Sequence, residues 1–232
     1  MKVLLLSISA AALLTASPAH ADQNWTGPYI GAHVGGVWGN ASTTDDKADW
    51  GNDPKFIGPF DFNPAGAFGG ATAGFNLQMG ILVAGLEGDL GYMDLSGSID
   101  TPSSQSGNHQ TIALDGGLYG TATARLGVLV TPATLIYGKG GFAFYDGEAS
   151  QATTADGYKT HGTSTFTGWV AGGGIEHRLT DSISVRIEYQ HFDFGSQDGD
   201  QTSLTDDPIG HVYENATKLT ADSVSLGVAY RF

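Results

Sequence analysis

Cysteine is absent from the 232 residues, which excludes a disulfide-stapled scaffold and thiol chemistry. Charge is scarce too: Asp, Glu, Lys and Arg make up 15% of the chain, where an average soluble domain carries about 25%. Cations are the scarcer half, with Lys+Arg 10 against Asp+Glu 24 and a formal net charge of -14. Nucleic-acid binding needs clustered cations to meet phosphates, so that partner class falls away. What the chain has in excess is glycine. Its 35 glycines would each cost about 1 kcal/mol in a helix relative to alanine, which argues against a helical bundle. One domain of about 200 residues is the simplest organisation.

Long hydrophobic runs are missing as well, apart from one at the start. Lys2, the apolar run Val3 to Ala16 and the small-x-small triplet Ala19-His20-Ala21 read as a secretory signal peptide covering residues 1–21. Cleavage is expected between Ala21 and Asp22, leaving a mature domain of residues 22–232. The run falls short of the ~20 apolar residues that a spanning helix requires.

The mature chain alternates with period two, the mark of strands with one apolar face. From Gly80 to Met93, Leu82, Ala84, Leu86, Leu90 and Tyr92 share one face, and Val83, Glu87 and Asp89 the other. The final segment sets Val224, Leu226, Val228, Tyr230 and Phe232 against Ser223, Ser225 and Arg231. Six further segments follow suit, near Tyr29 to Trp38, Ala67 to Gln78, Leu118 to Val130, Leu135 to Tyr145, Thr165 to Leu179 and Ile183 to His191. The eight strands are joined alternately by long polar stretches and by tight turns near Gln78-Met79-Gly80, Thr131-Pro132-Ala133 and Thr180-Asp181. The long stretches are expected at Gly39 to Gly66, Asp94 to Gly116, Asp146 to Gly162 and Asp193 to Ala221. That asymmetry predicts an all-β fold: a closed eight-stranded antiparallel transmembrane barrel, an up-and-down meander.

A soluble barrel with its apolar face turned inward has the same period, so charge placement has to discriminate. The polar faces carry Glu87, Asp89, Glu176 and Glu188 against Arg125, Lys139, Arg186 and Arg231, four of each sign. Equal and opposite charges suit an enclosed lumen, where an unpaired ion is costly. The apolar faces carry almost no ions and end in aromatics (Trp38, Tyr92, Phe144, Trp169, Tyr189, Tyr230 and Phe232), as a bilayer interface favours. Tyr29, His33, Phe68, Tyr119 and Tyr137 are expected to fill much of the lumen.

The opening Asn24-Trp25-Thr26-Gly27-Pro28-Tyr29-Ile30-Gly31, the segment Ile187-Glu188-Tyr189 leading to Phe192-Asp193-Phe194-Gly195, and the ending Gly227-Val228-Ala229-Tyr230-Arg231-Phe232 together resemble the small outer-membrane barrels of Gram-negative bacteria. These are the opacity-protein and OmpA-like proteins grouped as porin-family surface antigens. The resemblance covers essentially the mature chain. It implies residence in the cell outer membrane with both termini periplasmic, contact with lipid and lipopolysaccharide, and a terminal Phe232 read by the outer-membrane assembly machinery. It does not extend to the peptidoglycan-binding domain of full-length OmpA, so cell-wall tethering is not expected.

No catalytic motif is present: there is no GxSxG elbow, HExxH, Walker A loop or EF-hand pattern. His177 and His191 fall on the outward face without a neighbouring serine. No cofactor is expected. Asp45, Asp46, Asp49, Asp53 and Asp61, and Asp198, Asp200, Asp206, Asp207 and Glu214, crowd two of the long stretches and are candidates to attract divalent cations bridging lipopolysaccharide phosphates. His109, His161 and His211 are candidate haemin ligands without a spacing pattern. The expected role is structural, supporting the envelope and exposing acidic loops, with a narrow ion pore or loop-mediated binding of haemin or a host surface as the alternatives.

Overall fold

The computed structural model describes residues 24–45, 60–102, 109–153, 159–201 and 213–232. The signal-peptide residues, including Ala21 and Asp22, lie outside the described residues. Eight strands form the wall: β1 (Gly27–Asp45), β3 (Ala65–Met79), β4 (Leu82–Met93), β6 (His109–Thr131), β7 (Thr134–Thr153), β8 (Lys159–Arg178), β9 (Ile183–Gln201) and β10 (Tyr213–Arg231). Two short strands, β2 (Phe60–Phe62) and β5 (Gly97–Pro102), pair with the far ends of β1 and β6. Every wall strand is antiparallel to its neighbours in chain order. β1 then pairs with β10 from Tyr29↔Arg231 to Asp45↔Asn215, and the sheet closes into a cylinder. Closure matters because an unpaired backbone group has no water to turn to in hydrocarbon.

The three tight turns lie at one end. Gly80 and Ile81 join the pair Met79↔Leu82, with Gly80 at a φ of 64° in the left-handed region that glycine tolerates. Pro132 and Ala133 join Thr131↔Thr134, and residues 179–182 join β8 to β9. Both ends of the described chain meet at this rim, where Phe232 N donates to Pro28 O at 3.2 Å.

The opposite end differs from the sequence expectation. Among the described residues, the stretches expected as long loops are largely wall: β1 runs on to Asp45, β6 begins at His109, β7 reaches Thr153, β8 begins at Lys159, and β9 and β10 extend to Gln201 and back from Tyr213. Nineteen residues at about 3.3 Å each, tilted by about 40°, rise roughly 45–50 Å, well beyond an apolar band of about 25 Å. The extensions are rich in Ser, Thr, Gln, Asp and Gly because both their faces lie outside hydrocarbon, so the ladder persists where the alternation does not. Two bulges mark the passage. Between Asp115↔Glu148 and Leu118↔Asp146, β6 carries one extra residue. Between Asp193↔Thr220 and Ser196↔Lys218, β9 carries one extra residue, and Gly195 takes a φ of 68° there, a bulge that needs glycine.

Outward side chains form the belt that the alternation predicts. Ile30, Val34, Leu86, Leu90, Leu126, Phe142, Ile187, Leu226 and Val228 are exposed. Trp38, Tyr92, Phe144, Trp169 and Tyr189 ring its upper edge, and Tyr230 and Phe232 mark the turn end. Beyond the upper ring the outward positions turn polar, with Asn40, Asp94, Asp146 and Asp193, while Asp222 lies at the ring opposite Trp38. Amide hydrogen exchange of the folded chain in micelles should therefore show slow exchange continuing past the ring, through Gln110 to Leu114 and Ala149 to Thr153. Exchange there at the rate of free peptide would show that the wall stops at the girdle.

Candidate functional site: the ion network of the lumen

Along each strand inward positions alternate with the outward apolar ones, which turns Glu87 and Asp89 inside in β4, and the same alternation brings Arg125, Lys139, Glu176, Arg186, Glu188 and Arg231 inside from β6 to β10. All eight sequence-predicted residues are buried. They join into one chain of contacts centred on Glu87. Lys139 Nζ donates to Glu87 Oε1 at 2.8 Å, Arg186 Nη1 to Oε2 at 2.6 Å and the Tyr29 hydroxyl to Oε2 at 2.7 Å. Lys139 also reaches Glu188 Oε1 at 2.8 Å and Asp89 Oδ2 at 3.4 Å. Asp89 accepts from Thr72 at 2.6 Å and Thr121 at 2.8 Å, while Tyr137 donates to Glu188 at 2.6 Å.

Arg125 carries the network toward the turn end. Its guanidinium donates to Glu176 at 3.1 Å and Asn76 at 2.9 Å, and lies 5.0 and 4.9 Å from the ring centres of Tyr29 and Tyr137. Glu176 accepts from Ser184 at 2.6 Å and faces Arg231 at 3.5 Å. His33 bridges Thr72 and Tyr119. Counting these neutral partners, all eight wall strands contribute a side chain. The network is thus a set of cross-strand ties through the lumen, and multiple charge-assisted hydrogen bonds are what make buried ions tolerable.

Above and below the network, large apolar side chains fill most of the bore. Toward the far lip, Phe68, Met93, Leu95, Tyr119, Tyr145, Phe166, Phe192, Phe194 and Leu219 pack into one buried cluster. At the turn end a smaller cluster of Trp25, Val83, Leu135 and Tyr137 fills the bore. Two residues here escaped the alternation argument. Trp25 precedes the first strand, so no periodicity marks it, yet it is fully buried, and its indole donates to Pro132 O at 3.0 Å. Arg178, two residues beyond Glu176 on the same parity, was legible from that spacing. It is buried, donates to Asn24 O at 3.1 Å and, like Arg231, lies over the Trp25 ring. The lumen therefore holds five Lys and Arg side chains against four carboxylates among the described residues, correcting the expected four of each.

The remaining expected residues are dispersed. Phe232 stands exposed on the outer face at the end of the last strand. His177 lies outward at the turn end beside Thr134 (3.0 Å), and His191 outward near the girdle beside Asp222 (2.8 Å). Asp45, Asp61, Asp198, Asp200 and Glu214 lie on strands at the lip, as do His109 and His161, with His109 opposite Pro102 and His161 opposite Ser150. Asp46, Asp49, Asp53, Asp206, Asp207 and His211 lie outside the described residues.

A closed wall with an apolar belt and an ion-filled lumen defines a transmembrane β-barrel. The model of the outer membrane protein beta-barrel domain family matches residues 7–232, and the chain belongs to that family. It is similar to the 31 kDa outer-membrane immunogenic protein of Brucella melitensis, 28% identical over 226 residues, 94% of this chain and 88% of that one. The 25 kDa outer-membrane immunogenic protein of Brucella abortus is 30% identical over 212 residues, 91% of this chain and 81% of that one. Among solved structures, Neisserial surface protein A aligns over 89% of this chain and 98% of its own at 14% identity, with a TM-score of 0.45. The protein is thus an outer-membrane β-barrel protein.

Removing the hub tests the network. Glu87→Ala leaves Lys139 and Arg186 short of a counter-charge and should cost about 3–5 kcal/mol, the usual penalty for breaking a buried ion pair. The readout is the urea midpoint of the chain refolded in micelles. Adding Lys139→Met should recover part of the loss; equal midpoints for wild type and Glu87→Ala would contradict the role given to Glu87.

Proposed function

We propose that the chain is a sealed, non-catalytic structural element of the outer membrane, whose task is to hold the envelope together and to present an acidic lip to the outside. The observation that carries this reading is the filled lumen: a Trp25 stopper at the turn end, an ion network in the middle and an aromatic cluster toward the lip. An eight-stranded barrel has an interior about as wide as its own side chains, and bulky side chains fill it from the turn end to beyond the girdle among the described residues. A narrow ion pore is the weaker reading on that ground.

In this account the turn end and both termini face the periplasm, and the lip, continuing past the girdle, faces the medium. The relatives' names as immunogenic proteins agree with a surface-exposed lip. Phe232 serves the assembly machinery, and the acidic residues of the lip meet divalent cations that also bridge lipopolysaccharide. The haemin reading has less support, since His161 and His109 stand on β8 and β6 with β7 between them.

Planar-bilayer recording of the refolded mature chain tests the sealed state. The expected trace has no reproducible conductance steps, whereas Trp25→Ala, which unstops the turn end, should add brief openings. Regular steps from the unaltered chain would contradict the sealed reading and favour the pore.

A further inference from the structure

Asn24, Trp25 and Thr26 precede β1 and belong to no strand of the wall, yet groups from around the cylinder hold them. Trp25 N donates to Gln78 Oε1 of β3 at 2.7 Å, and Gln78 N donates to the Thr26 hydroxyl at 3.0 Å. The indole reaches Pro132 O, in the turn that joins β6 to β7. In the order β1, β3, β4, β6, β7, β8, β9, β10, strand β7 stands four strands from β1 either way, so this strap crosses the mouth of the cylinder. Arg178 of β8 fixes Asn24 O, and its guanidinium lies 5.4 Å from the Trp25 ring centre, with that of Arg231 in β10 at 4.5 Å. Arg231 faces one carboxylate, Glu176, and its Nε and Nη1 are buried without a hydrogen-bond partner among the described residues. The negative face of the indole therefore complements a guanidinium that the carboxylates serve only in part.

All of these partners are remote in the chain. The separation is 53 residues from Trp25 to Gln78, 107 from Trp25 to Pro132 and 154 from Asn24 to Arg178. Arg231 is the last residue but one, and its pairing with Tyr29 belongs to the ladder that closes the sheet. The seat for Trp25 thus takes shape only when β3, the β6–β7 turn, β8 and β10 are all in place, whereas the wall itself can pair in full without the strap. Loops that long cost entropy before their contacts repay it. From this placement we infer that the strap docks after β10 has closed on β1, and then locks the finished barrel: it slows opening without helping to build the wall. Contacts absent from the folding transition state act on the unfolding rate alone. The lock works in the same way whether or not the lumen conducts, so the inference stands apart from the sealed reading.

The test uses the full mature chain refolded from urea into micelles, with heat-modifiable gel migration timing closure. With Trp38, Trp50 and Trp169 replaced by Phe, Trp25 is the sole indole, and its protection from iodide quenching is expected to follow the shift of the band. In the otherwise unaltered chain, Trp25→Leu keeps an apolar filler but removes the indole N–H and the face under both guanidiniums. Its unfolding in urea is expected to be about tenfold faster, with folding at about the wild-type rate. Protection of Trp25 before the band shifts, folding slowed as much as unfolding is hastened, or an unchanged unfolding rate would each overturn the inference. So would a Trp25→Leu chain that never gives the shifted band, because a lock that closes last is not needed to build the wall.

Discussion

The structure depends on the exclusion of unpaired polar groups from hydrocarbon. The backbone meets it by closing β1 on β10, so that no strand edge faces lipid within the belt. Side chains meet it by parity: a strand that turns leucine and valine outward must turn its other residues inward. The ions sent inside by that rule then need partners from other strands. Glu87 shows how completely the demand is met, since Lys139, Arg186 and Tyr29 reach it from three strands other than its own. Outer belt and inner network are two faces of one constraint.

That link explains what the sequence makes legible. Eight strands, their outward sets and all eight buried charges of the proposed network follow from period two, because within the bilayer one face is always apolar. The three tight turns follow from the short spacing between alternating segments. Two things resist this reading. The strand extensions toward Asp45, Thr153 and Gln201 pair backbone to backbone without an apolar face, so residues such as Ser196 to Gln201 look like loop although they form ladder. Trp25 fills the bore from outside the first strand, where its burial comes from the shape of the bore and not from any local pattern. Arg178 is a different case: its place two residues after Glu176 put it inside, and the parity argument extended by one step includes it.

The layering of the lumen also bears on role. Ions occupy the middle, where the wall is surrounded by lipid, and rings fill the bore on either side. Such an interior ties the strands of the cylinder to one another. The inner charges contact one another, and on the outer face Asp222 and His191 pair at the girdle beside Trp169.

The central claim, that the apolar set faces hydrocarbon and the polar set the lumen, is tested most directly along β10. The chain has no cysteine of its own, so nitroxide labels can be placed singly from Ser223 to Tyr230 in the folded protein in bilayers. Collision with dissolved oxygen, which concentrates in lipid, should peak at Val224, Leu226, Val228 and Tyr230 and fall at the positions between. A flat profile, or one that peaks at Ser223 and Ser225, would contradict the account.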